Sequence, residues 1–308
     1  MTTTPRHVLR RLAVVLAVGV TAALAPSSLA RASDPVRDGK IAISDFSTEQ
    51  IYTLNPDGTD LRLLADHAGN PDWSPDGRRI AFASDATGDD RINTMAADGT
   101  DQRLILAEQP GFEDETPRYT PDGNSIVFIR CQSESCAVYS VRLDGTNLTA
   151  LTPFQDVIDY YPAVSPDGAR IAFVRFGAGG IQAQIYVMNA DGTNPHPITD
   201  PALLASEPNW SPDGRRITFS NCCRLNVNVY DISPRGTHLR QLTHTPYPLA
   251  SRGSAYSPTG ASIVFRSNRD HPDLCCNDLF VMSADGSHQT LVPTGLTDVT
   301  HVAWGRIP

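Results

Sequence analysis

A compound motif recurs along the chain at nearly constant spacing, and nothing else in the sequence limits the fold as strongly. PDWSPDGRRIAF begins at Pro71, TPRYTPDGNSIVF at Thr116, YPAVSPDGARIAF at Tyr161, EPNWSPDGRRITF at Glu207 and GSAYSPTGASIVF at Gly253. Each is followed by a second element such as IYTLNPDGTDLRLL from Ile51 or IYVMNADGTNPHPIT from Ile185, and six of these occur. A sixth first element is split. RDGKIAI from Arg37 holds its second half, and HVAWG from His301 holds its first. The first glycines stand at 39, 77, 123, 168, 214 and 260, so the period after the first step is 45 or 46 residues. Such a period belongs to propeller blades or helical repeats.

Residue type decides between the two. The segments between turns are short and rich in Ile, Val, Phe, Tyr and Thr, and PDG and DGT clusters interrupt any helical stretch. Pro presets φ, Asp bonds its own backbone and Gly takes a positive φ, which makes PDG a turn with a mechanism. Each unit is therefore four antiparallel strands. A single such sheet cannot bury two apolar faces, whereas a ring of six leaves no end unit uncovered. HVAWG supplies the innermost strand of the sheet that RDGKIAI begins, a velcro closure of the N- and C-terminal strands. The prediction is an all-β, six-bladed β-propeller of four-stranded blades, a single domain over residues 33–308. Trp73, Tyr119, Trp210 and Tyr256 occupy one repeat position and are expected to pack between blades.

The consensus PxWSPDGxxIAFxS followed by IYxMxxDGTxxxxLT resembles the TolB-type propeller repeat, also called the PD40 repeat, over residues 37 to 305. The resemblance implies the propeller fold and a role in docking partners, as in the periplasmic subunit of the Tol-Pal system, or the propeller half of a prolyl oligopeptidase. The former would carry an additional α/β domain before the propeller. Only about five residues precede the first strand after the expected cleavage, so a propeller alone is expected. The latter would carry a GxSxG nucleophile elbow, and no GxSxG, HExxH, phosphate loop or GxGxxG occurs in the sequence.

Residues 1–32 read as a signal peptide. Arg6, Arg10 and Arg11 precede the apolar run Leu12 to Ala25, too short for a bilayer span, and Ala30-Arg31-Ala32 fits a signal-peptidase site. The Arg10-Arg11 pair fits a general or a twin-arginine export route. The product is expected outside the cytoplasm, extracellular or in the cell envelope, as a soluble monomer without membrane insertion. Loss of four Arg and no acid from residues 1–32 takes the formal charge from −9 to −13. That sign repels phosphate backbones and argues against nucleic acid as a partner. Six cysteines in an oxidising compartment read as disulfide candidates. Cys131 and Cys136 would close a small loop. Cys222 and Cys223 either bridge to Cys275 and Cys276 or form vicinal bridges, and the repeat, which places the two pairs in adjacent blades, favours the former. Their spacing does not suit a metal knuckle.

Function on a repeat scaffold resides where the units differ. The loops that lead into the innermost strands vary most, and Asp72, Glu115, Arg118, Asp159, Tyr160, Glu207, Asn209, Arg252 and His301 are expected to ring one mouth of the channel. Acids outnumber bases in that set, which would suit a basic peptide or a hard cation such as Ca²⁺ held by oxygen ligands; no cofactor is otherwise expected. The functional expectation is a binding module for a protein or peptide. The alternative is a propeller enzyme, a lyase or hydrolase acting on polysaccharide or peptide, with Asp159, Tyr160 and His301 as acid or base.

Overall fold

The computed structural model describes residues 36–308 apart from 87, 108, 134, 155–157, 178–181, 223–225, 272–275 and 297. The expected signal peptide, Cys223 and Cys275 lie outside the described residues. In chain order the strands are β1 (Asp38–Asp45), β2 (Gln50–Leu54), β3 (Arg62–Asp66), β4 (Ala68–Trp73), β5 (Arg79–Ser84), β6 (Arg91–Ala96), β7 (Arg103–Leu104) and β8 (Glu113–Tyr119). Then come β9 (Ser125–Gln132), β10 (Ser135–Arg142), β11 (Thr149–Ala150), β12 (Ile158–Val164), β13 (Arg170–Phe176), β14 (Ala183–Asn189), β15 (His196–Pro197) and β16 (Ala205–Trp210). The last are β17 (Ile217–Asn221), β18 (Val229–Ile232), β19 (Arg240–Gln241), β20 (Ser251–Tyr256), β21 (Ser262–Ser267), β22 (Asp278–Ser283), β23 (Thr290–Val292) and β24 (Val299–Arg306). The described residues hold no α-helix, only a 3-10 turn at Pro201–Leu203.

They form six four-stranded antiparallel sheets, the first in the order β24-β1-β2-β3 and the others in chain order from inner to outer strand. The inner strands β24, β4, β8, β12, β16 and β20 touch in succession and back to β24, which makes the array a closed propeller. Closure is by strand pairing. Ile41 stands opposite Trp304, Ala42 opposite Ala303 and Ile43 opposite Val302, and Trp304 Nε1 donates to the Gly39 carbonyl at 3.1 Å.

The repeat consensus maps onto this architecture residue by residue. The Phe of each IxF triplet, Phe82, Phe128, Phe173, Phe219 and Phe265, lies on the second strand and is at most 2% exposed. Burying a side chain of that size is worth about 1.5–3 kcal/mol, so these positions anchor the stack of blades. Tyr119, Trp210 and Tyr256 are buried, and Trp210 Nε1 donates to the Ala163 carbonyl of the preceding blade at 3.0 Å. Trp73 is half-buried.

In the PDG turn, Ser74 donates from its hydroxyl to Asp76 at 2.6 Å and accepts from the Arg79 N–H at 2.9 Å. Gly77 has φ 72°. In the DGT turn, the Thr59 hydroxyl and N–H both donate to Asp57, and Thr100, Thr146 and Thr193 repeat the arrangement with Asp98, Asp144 and Asp191. These hydrogen bonds hold the turn carboxyls below the usual carboxylate range. Much of the chain's acidity is thereby engaged in turns at the end of the ring opposite the variable loops.

The fourth strands are short. β7, β11, β15 and β19 each contain 2 residues, and all eight are exposed. A strand with solvent on both faces gains little from burial, so pairing ends early there.

Candidate functional site

Five of the inner strands carry the same irregularity. The ladder slips between Gly69 and Asp72, Glu115 and Arg118, Tyr160 and Ala163, Ser206 and Asn209, and Arg252 and Ala255. One residue in each slip takes the left-handed region: Asn70, Thr116, Tyr161, Glu207 and Gly253, with φ between 48° and 56°. Four of the five are not glycine, and each of these precedes a proline, a combination that costs energy locally and re-aims the side chain. His301 holds the corresponding place on β24. The bulge thus converts an ordinary alternating strand into one that turns a polar side chain toward the centre of the ring.

At the mouth lies a cavity of about 220 Å³ whose walls include Ser44, Asp45, Glu49, His67, Asn70, Asp85, Asp90, Thr300 and His301. Burial, reinforced by Glu115, Asp85 and Glu113, pushes the Asp90 carboxyl up to about 6. His67 Nδ1 stands 3.7 Å from carboxylate oxygens of both Glu49 and Asp85, a trio that could take a divalent cation, although all three are exposed. Deeper in, a space of about 30 Å³ is lined by Arg118, Tyr161, Glu207, Asn209, Gly253, Thr300 and His301. Thr300 and His301 belong to the walls of both.

Of the nine residues expected at the mouth, Arg118, Glu207, Asn209 and His301 meet around this inner space. Arg252 is close enough to interact electrostatically with Glu207 and Arg266. The Glu115 carboxylate accepts from the Tyr160 hydroxyl, and burial raises both groups, the tyrosine strongly. The remaining two, Asp159 and Asp72, serve as ties, as does Asn209. Asp159, with no exposure, is held by Arg175 through two bonds of 2.7 Å, and Asp114 and Arg130 form the equivalent pair one blade earlier at 2.7 and 2.8 Å. Asp72 accepts from the Tyr119 N–H of the next inner strand at 2.8 Å, and burial raises its carboxyl despite Arg118 at 3.8 Å. Asn209 Oδ1 accepts from the Tyr256 N–H at 3.4 Å.

The balance of charge in the inner channel therefore differs from a count of residue types. Glu207 is ion-paired with Arg266; burial alone would raise its carboxyl, but the guanidinium holds it below the usual range. Burial, then Arg266 and Arg118, depress the His301 imidazole to about 3, so it is neutral at physiological pH. Tyr161 is pushed up to about 12, first by burial.

Arg266, which pairs with Glu207, and Tyr161, which lines the inner space, are the positions of the candidate site that the sequence reading passes over. Arg266 follows the buried Phe265 directly, and the matching residues of the other PDG units are Ala83, Ile129, Val174 and Ser220. A guanidinium in that slot is the available signal. Space for it comes from Gly253, where a Cβ would overlap Arg266 Nε and lie 3.3 Å from its Cδ and Cζ. Cys131 and Cys136, opposite one another on β9 and β10, form a disulfide. Cys276 is disulfide-bonded too.

Fold and site together define a closed six-bladed propeller whose polar channel is walled by bulged inner strands. The chain belongs to the TolB β-propeller domain family, whose profile matches residues 37–153 and 99–307. It is 29% identical over 200 residues to an uncharacterised protein of Agrobacterium fabrum, covering 59% of this chain and 66% of that protein. It is also 29% identical over 158 residues to a TolB homologue of Chlorobium luteolum, covering 50% of this chain and 34% of the relative. The chain thus spans less than two thirds of the length of these relatives. Among solved structures it is similar to TolB from Acinetobacter baumannii (TM-score 0.71, 21% identity, 87% of this chain and 66% of that one). It is also similar to an oligogalacturonate lyase in complex with manganese (TM-score 0.55, 12% identity, 84% and 72%). At these identities the likeness concerns the fold.

Proposed function

We propose that this chain is a TolB-like binding module of the cell envelope or extracellular space that takes a protein or peptide segment into its channel mouth. The observation that carries the reading is the pair of neighbouring spaces lined by polar side chains, with Thr300 and His301 in the walls of both, on the face bearing the variable loops. Several ionisable groups nearest the channel are engaged with one another: Glu115 with Tyr160, Glu207 with Arg266 and Asp159 with Arg175. Such closed pairs furnish a rigid, patterned receptor surface more readily than a free general base. Export through the segment 1–32 is part of the same proposal.

The test is affinity capture from culture medium and envelope fractions with the protein and with Thr300→Trp, which plugs the shared wall. A partner held by the first and lost by the second, with unchanged circular dichroism, supports the reading. Equal capture by both, or none by either, removes it. The enzymatic reading draws on His301, a neutral imidazole beside Tyr161 with ring centroids 6.5 Å apart, and on Asp90 in the same cavity. A screen against polysaccharide and peptide substrates, with and without Ca²⁺, decides it.

A further inference from the structure

Three guanidinium groups have incomplete partners, Arg118 in the wall of the inner space and Arg252 and Arg266 close to Glu207, which also lines it. The Nε atoms of Arg118, Arg252 and Arg266 are all buried and meet no acceptor among the described residues. Arg118 donates to the Pro117 carbonyl at 3.3 Å and stands 3.8 Å from Asp72, too far for a hydrogen bond. Arg266 holds Glu207. Arg252 makes no hydrogen bond and no ion pair among the described residues, although it is half-buried and directly opposite Arg266 across β20 and β21. Buried donors without acceptors are rare in folded proteins, and a guanidinium offers five donors in a planar fork that fits a carboxylate.

The charges around it do not complete the set. Glu207 is already committed to Arg266, and Asp298, which also acts on Arg252, accepts from the N–H and side chain of Asn277. The donor sets of Arg118 and Arg266 are thus part-filled and that of Arg252 is empty among the described residues.

We infer that Arg252, supported by Arg118 and Arg266, is a receptor for a carboxylate presented by a peptide that enters the channel mouth. The inference rests on the binding-module reading and adds the chemistry of the inserted group. A carboxylate meeting Arg252 end-on would satisfy the fork that the protein leaves open. Gly253 permits the arrangement, because a side chain there would drive Arg266 away. The channel would thus select an anionic end or side chain even though the protein as a whole is acidic.

The experiment uses the purified full propeller and four acetylated glycine-based peptides of equal length in calorimetric or NMR titration. The first is all glycine with a free C-terminal carboxylate. The second carries a central glutamate and an amidated C-terminus, the third is all glycine and amidated, and the fourth carries a central lysine and is amidated. We expect binding of the first or second and none of the others, the first two telling a chain terminus from an acidic side chain. Arg252→Gln should weaken that binding at least tenfold, Arg252→Lys by less, and the surface variant Arg62→Gln not at all. Matching thermal melts of Arg252→Lys and the parent exclude a folding defect. Equal affinity for all four peptides, preference for the lysine peptide, or unchanged binding by Arg252→Gln would overturn the assignment. If the captured partner is lost on Thr300→Trp but indifferent to Arg252→Gln, the binding module stands and the carboxylate receptor falls.

Discussion

Gly253→Ala tests whether the channel is organised around the space that lets Arg266 in. Gly253 has φ 56°, and alanine in that region costs about 1–2 kcal/mol per residue, partly offset by about 0.4–1 kcal/mol from a stiffer unfolded chain. The larger effect is steric. The new Cβ overlaps Arg266 Nε, so the side chain must swing out and release Glu207. Breaking a fully buried pair costs about 3–5 kcal/mol. Here the two side chains keep 12% and 15% exposure, so water recovers part of the loss and about 2 kcal/mol is reasonable. The sum is about 2–3 kcal/mol, or roughly 4–12 °C in melting temperature for a domain of this size.

The assay is urea unfolding at pH 7, reading the midpoint at constant slope, on the single variants Gly253→Ala and Arg266→Ala and on the double variant. If the steric account holds, the double variant costs little more than Arg266→Ala alone, because the alanine methyl no longer meets anything. The expected non-additivity is about 2 kcal/mol. Additive single effects, or a loss below about 0.5 kcal/mol for Gly253→Ala, would show that Arg266 does not depend on the missing side chain.

Further expectations follow from the same geometry. Asp90 has a carboxyl raised from 3.8 to about 6, so the folded state takes up its proton first; Asp90→Asn should stabilise the protein at pH 7 by about 1–2 kcal/mol once solvent screening of this partly exposed group is allowed for. That advantage fades as pH falls through 6 and is gone near 4, read by melts across the range. His301 moves the other way, with a folded value of about 3 against 6.5, so stability present above pH 6.5 is lost as pH falls towards 3; His301→Gln should flatten this part of the stability-pH curve, and an unaltered curve would refute a shielded neutral imidazole. Trp304→Phe removes the bond to the Gly39 carbonyl that helps close the ring and should cost about 1 kcal/mol in urea unfolding, whereas no change would show that backbone pairing alone seals the blade.

The fold was legible because the repeat is a repeat of turns. Asp76 and Gly77, or Asp57 and Thr59, act through contacts within a few residues, so sequence proximity suffices to read them. The closing strand was legible for a related reason, since HVAWG lacks the half of the motif that RDGKIAI retains. The site was less so. Asp159 and Tyr160 are neighbours in sequence, yet strand alternation sends the former to Arg175 and leaves the latter for Glu115. The pairing of Asp159 with Arg175, sixteen positions on, is repeated by Asp114 and Arg130 and could have marked both as ties. Tyr161 and Glu207 reach the channel through a left-handed bulge, which no hydrophobic pattern announces. Arg266 depends on a side chain missing from a different strand, a relation between two positions that a reading of either alone does not contain.

The brevity of the outermost strands governs how anything can approach the ring. A rim strand of two residues offers too few open peptide groups to template a neighbouring chain, so four of the six flanks are poor sites for adding a strand from another molecule. Two blades are exceptions: β23 has 3 residues and leaves Leu291 half exposed, and in the blade that holds the closing strand β3 runs for 5 residues and leaves Leu63 half exposed, although Arg62 and Asp66 flank it with charge. Lateral self-association, were it provoked by crowding or partial unfolding, would start at the longer β3 flank, while the four two-residue flanks stay inert and leave the axial opening as the way in.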